Sequence, residues 1–368
     1  MTEQTPMDET VNAAEPSQTQ PAPAEQTIER TSYPFAFHGQ GGEFFKIWIV
    51  NIVLTILTLG IYAAWAKVRT HQYFYGNTEV AKASFQYLAD PITILKGRII
   101  AVVLFLAYFF LNQQFPVQTM LVSIPLFIIA APWIINRSLR FNMRNTAYRN
   151  IRFDFTGTYG SAFCNFVLGY LAVIFSFGMA FPWWLRQLNK YVVNNTKYGD
   201  AEFEATLDVG EYYIAFLLSI LISFAVYAVI LIGIGISAIG AAVESPVLTV
   251  ILGGVTGIAG IIGFSFAKAF VNARLGNLLF NNTKLRDNGF TSELKPVDLT
   301  KLYVTNALLI IVTLGLAIPW VMVRMARYRL ETLTLEATDL TGFVSEQTDR
   351  GNAIGEEIGD VFDIELGL

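Results

Sequence analysis

The chain of 368 residues is 54% hydrophobic and only 15% charged, with a formal net charge of −4 and a mean hydropathy of +0.47. This composition is too apolar for an ordinary soluble domain. Several long stretches contain no Asp, Glu, Lys or Arg, and a bilayer core needs roughly 20 apolar residues per helix. These stretches are residues 47–66, 99–136, 155–185, 212–243, 245–267 and 302–323. The sequence therefore predicts an integral membrane protein, with the lipid bilayer and not nucleic acid as its partner.

Two polar tails flank the hydrophobic part of the chain. Residues 1–32 are rich in Pro, Gln, Thr, Glu and Ala and lack the apolar stretch of a signal peptide. This composition predicts a disordered N-terminal tail. Residues 344–368 form an acidic C-terminal tail. The remainder, residues 33–343, is predicted to form one integral membrane domain with internal repeats.

Seven hydrophobic segments follow one another in this domain, in the order single, pair, single, pair, single. They cover about residues 44–65, 95–112, 117–136, 160–182, 211–240, 246–270 and 302–320. The predicted fold class is accordingly a polytopic all-α membrane protein. The sixth segment carries a glycine recurrence at Gly254, Gly257, Gly260 and Gly263. Small residues let membrane helices approach closely, which predicts a packing seam, with a glycine-lined permeation path as the alternative.

A motif recurs five times at fixed spacing. An aromatic residue is followed after twelve residues by an Asn-Thr pair and after twenty by Phe, as in Trp65, Asn77-Thr78 and Phe85. The other copies begin at Trp133, Trp183, Phe270 and Trp320, and the last keeps the spacing without the Asn-Thr identity. Positions four and eight after the aromatic residue share one helical stripe. Because turn residues follow the Asn-Thr pairs, each copy is predicted to be an amphipathic helix plus a short β-hairpin.

Two topologies are compatible with this order of segments. Seven spans would make residues 33–153 and 154–290 repeats of opposite orientation, as in many secondary transporters. The positive-inside rule favours one cytoplasmic side for all five motifs, because each carries at least three Lys or Arg. The single segments would then have to re-enter the membrane, breaking at Gly60, Gly178 and Gly315. We expect seven spans, because the single segments are short for re-entrant hairpins, whose irregular backbone must be buried.

Aromatic and basic side chains of the motif are the first candidates for lipid contact. Trp and basic residues on interfacial helices anchor a helix at the head-group level and also hold anionic lipids. The candidates are Trp65, Arg69, Tyr73, Trp133, Arg137, Trp183, Arg274, Trp320 and Arg324. Anchoring at the bilayer surface without specific lipid binding is the alternative.

Polar side chains within the hydrophobic segments are few and uncharged. Asn51, Asn165 and Asn306 are candidates for a solute site, although amides also join membrane helices by hydrogen bonds. His38, next to a glycine, is a candidate ligand or proton carrier, with a hydrogen-bonding surface role as the alternative. The single cysteine, Cys164, cannot form an internal disulfide.

Motifs of known enzyme classes are absent from the sequence. It contains no P-loop, no Cys-x-x-Cys and no His-Glu-x-x-His, and it has only two histidines. We therefore predict that the protein is not an enzyme and that it uses no cofactor or metal ion.

The segment Phe37–Thr78, with the strings FHGQGG and TLGIYAAWAKVR, resembles the YjgN-like family of bacterial inner-membrane proteins. The resemblance extends over roughly residues 33–343. It implies a multi-pass protein of the bacterial inner membrane, in a family of unknown function. It implies no substrate, cofactor or catalytic residue.

Two functions are compatible with these features. A transporter or pore for a small solute is favoured by the apparent inverted repeats and by glycine-broken segments in matching positions. A non-catalytic membrane module that binds lipids or partner proteins through its hairpins and basic stripes is the alternative. The lack of ionisable groups in the membrane segments favours the alternative, because ion-coupled transport usually needs one. A homo-oligomer or a membrane-protein partner is compatible with both.

Overall fold

The structure is a computed structural model that describes Thr2 and residues 30–338. The predicted C-terminal tail lies outside the described residues, as does the predicted N-terminal tail apart from Thr2 and residues 30–32. In the described part, pairs of helical arms alternate with pairs of short strands along the chain.

The helices are α1 (Gly41–Leu57), α2 (Ala63–Gly76), α3 (Pro91–Gln114), α4 (Pro116–Arg144), α5 (Tyr159–Ala162), α6 (Gly169–Phe175), α7 (Phe181–Asn194), α8 (Val209–Ala242), α9 (Pro246–Asn281), α10 (Pro296–Val312) and α11 (Ile318–Glu331). A π-helical stretch, Phe163–Leu168, joins α5 to α6. The strands are β1 (Thr31–Pro34), β2 (Ala36–Phe37), β3 (Thr78–Val80), β4 (Ala83–Tyr87), β5 (Thr146–Tyr148), β6 (Ile151–Phe155), β7 (Thr196–Tyr198), β8 (Ala201–Ala205), β9 (Thr283–Leu285), β10 (Asn288–Ser292) and β11 (Leu333–Ala337).

We call the five helical pairs helical units 1 to 5. They are α1/α2, α3/α4, α5–α6/α7, α8/α9 and α10/α11. Proline begins many of these arms because its ring suits the first turn of a helix, where no backbone N–H is required. The Asn-Thr pairs end four of the second arms. In the first, the Asn77 amide and the Thr78 hydroxyl each donate to the carbonyl four residues back, at 2.8 Å, which satisfies the last turn.

The strands form one antiparallel sheet in the order β1-β11-β10-β9-β8-β7-β6-β5-β4-β3-β2. The two ends of this order, β1 and β2, are consecutive in the chain and separated by Phe35 alone. The Phe35 N–H donates to the Leu333 carbonyl at 3.0 Å, and the His38 N–H donates to the Asn77 carbonyl at 2.9 Å. The segment from β1 to β2 therefore bridges β11 and β3, and the sheet is a nearly closed barrel.

The prediction of an all-α fold is wrong because of this barrel. The sequence signals predicted separate short hairpins, and such isolated hairpins would leave unpaired edges. In the structure each hairpin pairs with the next, for example β4 with β5 and β6 with β7. Pairing around a ring removes the edges of strands that are only two to five residues long.

Aromatic and aliphatic side chains fill the barrel. The Phe residues are Phe35, Phe85, Phe153, Phe203 and Phe290, and a second set is Val80, Tyr148, Tyr198, Leu285 and Leu335. The rings of Phe153 and Phe203 stack with centroids 6.3 Å apart, as do those of Phe203 and Phe290. The remaining cavity is only about 70 Å³. Burial raises the pKa of the Tyr198 hydroxyl to about 12, so this barrel core is uncharged at neutral pH.

The prediction of seven spans is also wrong. Among the described residues, four helices, α3, α4, α8 and α9, are long and apolar enough to cross a membrane. Predicted segments 1, 4 and 7 instead correspond to α1, α5–α6 and α10, which turn back toward the sheet. The chain reverses there because Leu59, Phe177 and Leu314 adopt left-handed conformations, with φ of 53°, 52° and 50°.

The opposite orientation expected for residues 33–153 and 154–290 is wrong for the same reason. Strands from both halves pair directly, since Phe153 in β6 lies opposite Tyr198 in β7. All five helical units therefore start and end at a single sheet. Neighbouring arms also pack against one another around the barrel axis, and the ring of helices closes where α11 packs on α1.

Candidate functional site

The contact between α1 and α11 joins the two ends of the described chain, and we call it the seam. The Trp320 ring of α11 packs against the Phe45 ring of α1, with centroids 5.0 Å apart. Trp320 also covers Gly41 so closely that any side chain at position 41 would collide with its ring. The seam therefore depends on a large aromatic residue on one helix and the lack of a side chain on the other.

An apolar groove of about 820 Å³ opens at the seam. Its lining residues are Phe45, Leu309, Val312, Thr313, Leu314, Leu316, Ala317, Trp320 and Arg324. Most of these side chains belong to α10, α11 and the turn between them. The groove is thus hydrophobic along its length and has one cationic group, Arg324, among its lining residues.

A polar cleft of about 630 Å³ adjoins the groove. It is lined by Phe37, His38, Gln40, Gly41, Trp320, Val323, Arg324, Arg327 and Glu331. Two guanidinium groups face one carboxylate there, and the His38 ring contacts Glu79 at 3.0 Å. Because Trp320 and Arg324 line both spaces, the groove and the cleft meet at these two side chains.

Hydrogen bonds hold the two arginines of the cleft in place. Arg324 donates from Nη1 to the Asn306 amide oxygen at 2.9 Å and from Nη2 to the Thr305 hydroxyl at 3.2 Å. Arg327 donates from Nη2 to the Gly39 carbonyl at 2.8 Å. Asn306 is 4% exposed, and among the described residues its amide nitrogen has no hydrogen-bond partner. A buried neutral amide thus fixes an exposed guanidinium without neutralising it.

Four of the residues singled out in the sequence meet at this seam: Trp320, Arg324, Asn306 and His38. Others lie elsewhere on the ring. The Arg274 guanidinium forms an ion pair with Glu211 at 2.8 Å, and the buried Asn51 amide donates to the Ala66 carbonyl at 3.4 Å. Asn165 accepts through its backbone carbonyl from the Trp184 indole at 2.7 Å. These three contacts join neighbouring helical arms.

Tyr73 lies beside the seam, and the remaining predicted interfacial residues are spread around the ring. Trp65 stacks on Tyr62 with centroids 6.1 Å apart, whereas Arg69 and Trp133 are exposed. Arg137 and Trp183 are half-buried. The Tyr73 hydroxyl accepts from the Gln40 N–H at 2.7 Å and donates to the Gln40 carbonyl at 2.9 Å. Desolvation raises the pKa of the Tyr73 hydroxyl, which stays neutral and holds the start of α1.

Sequence reasoning missed a set of side chains that clamp the loops after the strands. Arg140 donates to the carbonyls of Phe155 and Gly157, Arg186 to that of Leu207, Asn277 to that of Leu294, and Arg327 to that of Gly39. Arg140, Asn277 and Arg327 each stand seven residues after the aromatic residue of their motif copy. This spacing of seven residues is present in the sequence. A search of only the fourth and eighth positions after the aromatic residue does not find it.

Comparisons with known proteins give a family but no activity. The model of a family of bacterial proteins of unknown function (DUF898) matches residues 32–361. The inner membrane protein YjgN of Escherichia coli strain K12 is 34% identical over 134 residues, which are 34% of this chain and 31% of the relative. Its namesake in Salmonella typhimurium strain LT2 is 27% identical over 124 residues, or 34% of this chain and 31% of the relative.

These matches span about a third of the length of each curated relative. No solved structure matches the chain. The resemblance to a YjgN-like family is confirmed by the matches. The inner-membrane location is confirmed by the relatives' names together with the four helices able to cross a membrane.

Proposed function

The chain belongs to the DUF898 family of bacterial proteins of unknown function, and we propose that it is a non-catalytic inner-membrane module that binds an anionic phospholipid at the seam. One observation carries the proposal. The apolar groove and the polar cleft meet at Trp320 and Arg324. A phospholipid has the same division, with acyl chains next to a charged phosphate.

The chemistry of the seam matches such a ligand. Acyl chains would lie in the groove against Phe45 and Leu309. The phosphate would accept charge-assisted hydrogen bonds from Arg324, whose guanidinium geometry suits two oxygens of one phosphate. The indole of Trp320 would lie between the acyl chains and the phosphate, at the level where amphipathic aromatic rings are favoured. Arg327 adds a second positive charge beside the single carboxylate of Glu331.

We also propose that the five helical units are an internal repeat with one orientation. Each unit returns to the same barrel, and the phenylalanines at equivalent positions fill its core. The positive-inside rule favours a cytoplasmic barrel, because the basic residues cluster in the motifs beside it. Arg324 would then lie at the cytoplasmic surface, where anionic head groups attract basic residues.

Transport of a small solute has less support. The sequence favours transport through an apparent inverted repeat and glycine-broken segments, and strands from every helical unit in one sheet do not fit the inverted repeat. A path along the barrel axis would have to pass the packed aromatic core, where the cavity is about 70 Å³. Lipid or partner binding therefore accounts for more of the geometry than a conduit does.

Lipid binding to the purified protein tests the proposal. Native mass spectrometry with added phosphatidylglycerol or phosphatidylcholine measures whether binding depends on head-group charge. We expect tighter binding of phosphatidylglycerol and a loss of about tenfold in Arg324→Gln, since a charge-assisted hydrogen bond contributes roughly 1.5–3 kcal/mol. The matched control is Arg329→Gln, which removes an exposed arginine of the same helix that lies outside the cleft.

Two results would contradict the proposal. One is equal binding of the two lipids by the wild-type protein. The other is an equal loss in Arg324→Gln and Arg329→Gln, because general attraction to the helix surface would then explain the binding. The thermal transition of each variant in detergent shows that the comparison is between folded proteins.

A further inference from the structure

The turns of helical units 1, 3 and 5 are built alike. A Thr or Ser ends the first arm, a left-handed Leu or Phe follows, and then comes glycine: Thr58-Leu59-Gly60, Ser176-Phe177-Gly178 and Thr313-Leu314-Gly315. In each turn the glycine N–H donates at 2.8 Å to the carbonyl five residues back, as in a Schellman motif. The hydroxyl of the Thr or Ser accepts from the N–H four residues ahead.

These bonds satisfy the backbone of the turn within the turn itself. Irregular backbone is tolerated at membrane depth only if its polar groups are satisfied, since lipid offers no hydrogen bonds. The three turns meet much of this requirement through their own hydroxyl and amide groups. The single segments are therefore better suited to re-entry than their length alone indicates.

The side chains at these turns are apolar and almost fully exposed. Leu59 is 94% exposed, Phe177 is 96% exposed and Leu314 is 93% exposed. The left-handed position after a helix is usually glycine, and an L-residue costs about 1–2 kcal/mol there. All three turns nevertheless place a large apolar side chain at this position. A surrounding of lipid acyl chains, and not water, accounts for the exposure of these side chains and for the use of a large apolar residue where glycine is usual.

The distance from each turn to the next basic residue distinguishes short from long helical units. In the short units the basic residue is Lys67, Arg186 or Arg324, seven to nine residues after the turn glycine. At 1.5 Å per residue this is about 10–14 Å of helix, less than half of a bilayer core of roughly 30 Å. In the long units, Arg137 and Lys268 follow the turn by more than 20 residues, or about 33 Å.

The turns of the long helical units differ from those of the short units in carrying exposed polar side chains. In unit 2 the turn region carries Asn112, Gln113 and Gln114, and in unit 4 it carries Glu244 and Ser245. Gln113, Gln114 and Glu244 are exposed. Such groups belong in water beyond the far side of the bilayer. The chemistry of the turns thus follows the length of the arms.

We infer that the three short helical units enter the leaflet next to the barrel and end inside the bilayer, with their turns in contact with lipid acyl chains, while helical units 2 and 4 cross it. The protein is then held by two spanning hairpins and three half-depth hairpins around one barrel. The occupant of the surface around the three turns is the acyl region of the barrel-side leaflet. This inference is independent of head-group binding at the seam.

Cysteine accessibility in the full-length protein tests the inference. Single cysteines replace Leu59, Phe177 or Leu314 in a Cys164→Ala background, and a membrane-impermeant maleimide is applied to spheroplasts and to inside-out vesicles. The reference positions are Gln113 and Glu244 at the long turns and Lys82 at the β3–β4 turn of the barrel. We expect Gln113→Cys and Glu244→Cys to react in spheroplasts and Lys82→Cys to react in inside-out vesicles.

For the three short turns we expect labelling below about a tenth of the reference from either side and full labelling after solubilisation in detergent. Labelling at the Gln113 level in spheroplasts, or at the Lys82 level in vesicles, would overturn the inference. Protection that persists in detergent would also overturn it, because protein would then cover the turn. A fluorophore on Leu59→Cys in brominated lipid gives a second measurement, with strong quenching expected and unquenched emission contradicting it.

Discussion

Helical units 4 and 2 are both long enough to cross a membrane, yet their arms pack differently. In unit 4, buried and partly buried positions on α8 recur at intervals of three and four residues: Ser219, Ser223, Val226, Ile230, Gly233, Ser237 and Gly240. Coiled-coil interfaces have this spacing, and most of these seven residues are small. In unit 2, by contrast, α3 and α4 contact each other at far fewer positions, and most residues between Arg98 and Ala131 are exposed.

Unit 4 shows what holds two apolar helices together when the solvent is also apolar. Lipid covers a leucine as well as another leucine does, so association depends on close packing of small residues. On α9, Gly260 faces Ile230, and Gly263 faces Val226. The turn ends of the arms meet where Gly240 lies against the backbone of Thr249. Unit 4 is therefore a pair in its own right, whereas the arms of unit 2 contact each other at few positions.

The largest expected effect comes from Gly240→Leu. A Cβ at position 240 would lie 2.9 Å from the Thr249 backbone nitrogen, and backbone cannot rotate away as a side chain can. The arms of unit 4 would have to separate, and we expect a destabilisation of about 3 kcal/mol, at the upper end for overpacking. Thermal unfolding in detergent measures the loss.

Gly257→Leu is the matched control for this substitution. Gly257 is on α9 of the same helical unit, and the position that its Cβ would occupy has no atom of another element within 4 Å. We expect its transition temperature to stay near that of the wild type. Equal destabilisation by Gly240→Leu and Gly257→Leu would mean that helix propensity, and not interhelical packing, limits the stability of unit 4.

The glycine recurrence shows how far the sequence could predict this packing. Gly260 and Gly263 face α8, as expected for a packing seam, but Gly254 and Gly257 have open space around them. A repeat of three residues drifts around a helix of 3.6 residues per turn, so one glycine row cannot stay on one face. The row that does stay on one face, on α8, mixes Gly with Ser, Val and Ile, and a search for glycine alone does not find it.

The barrel and the candidate site show a second limit of the sequence. The motif predicted where helices end, because the side-chain amides of Asn77 and its equivalents donate to the carbonyl four residues back in the same helix. Closure of the ring depends instead on contacts between distant residues, such as Phe35 with Leu333. The seam likewise needs Arg327 to reach Gly39, 288 residues away. Trp320 and Arg324 were predicted as interfacial residues, but nothing local indicated that α1 would complete their surroundings.

A smaller effect is expected from Val226→Ala in α8. Val226 fills the space in front of Gly263, where an added Cβ would lie 2.6 Å from a Val226 methyl group. Removing its methyl groups leaves a gap at a close contact, and we expect a loss of about 1 kcal/mol in thermal or denaturant unfolding. A variant as stable as the wild type would indicate that the two arms can move together to close the gap, and that the packing between α8 and α9 is less rigid than its spacing suggests.

The smallest effect is expected from Leu121→Ala in α4, although it removes more atoms than Val226→Ala does. Leu121 is 69% exposed among residues that lie toward lipid in unit 2, so its truncation opens no interior gap. We expect a change below about 0.5 kcal/mol for the purified protein in detergent. A loss as large as that of Val226→Ala would mean that α3 and α4 do pack on Leu121 and that the contrast between the two helical units is wrong. A variant that is stable when purified but accumulates poorly in cells would indicate that a second membrane protein covers this face of unit 2. Lipid alone does not distinguish leucine from alanine strongly enough to change the amount of folded protein.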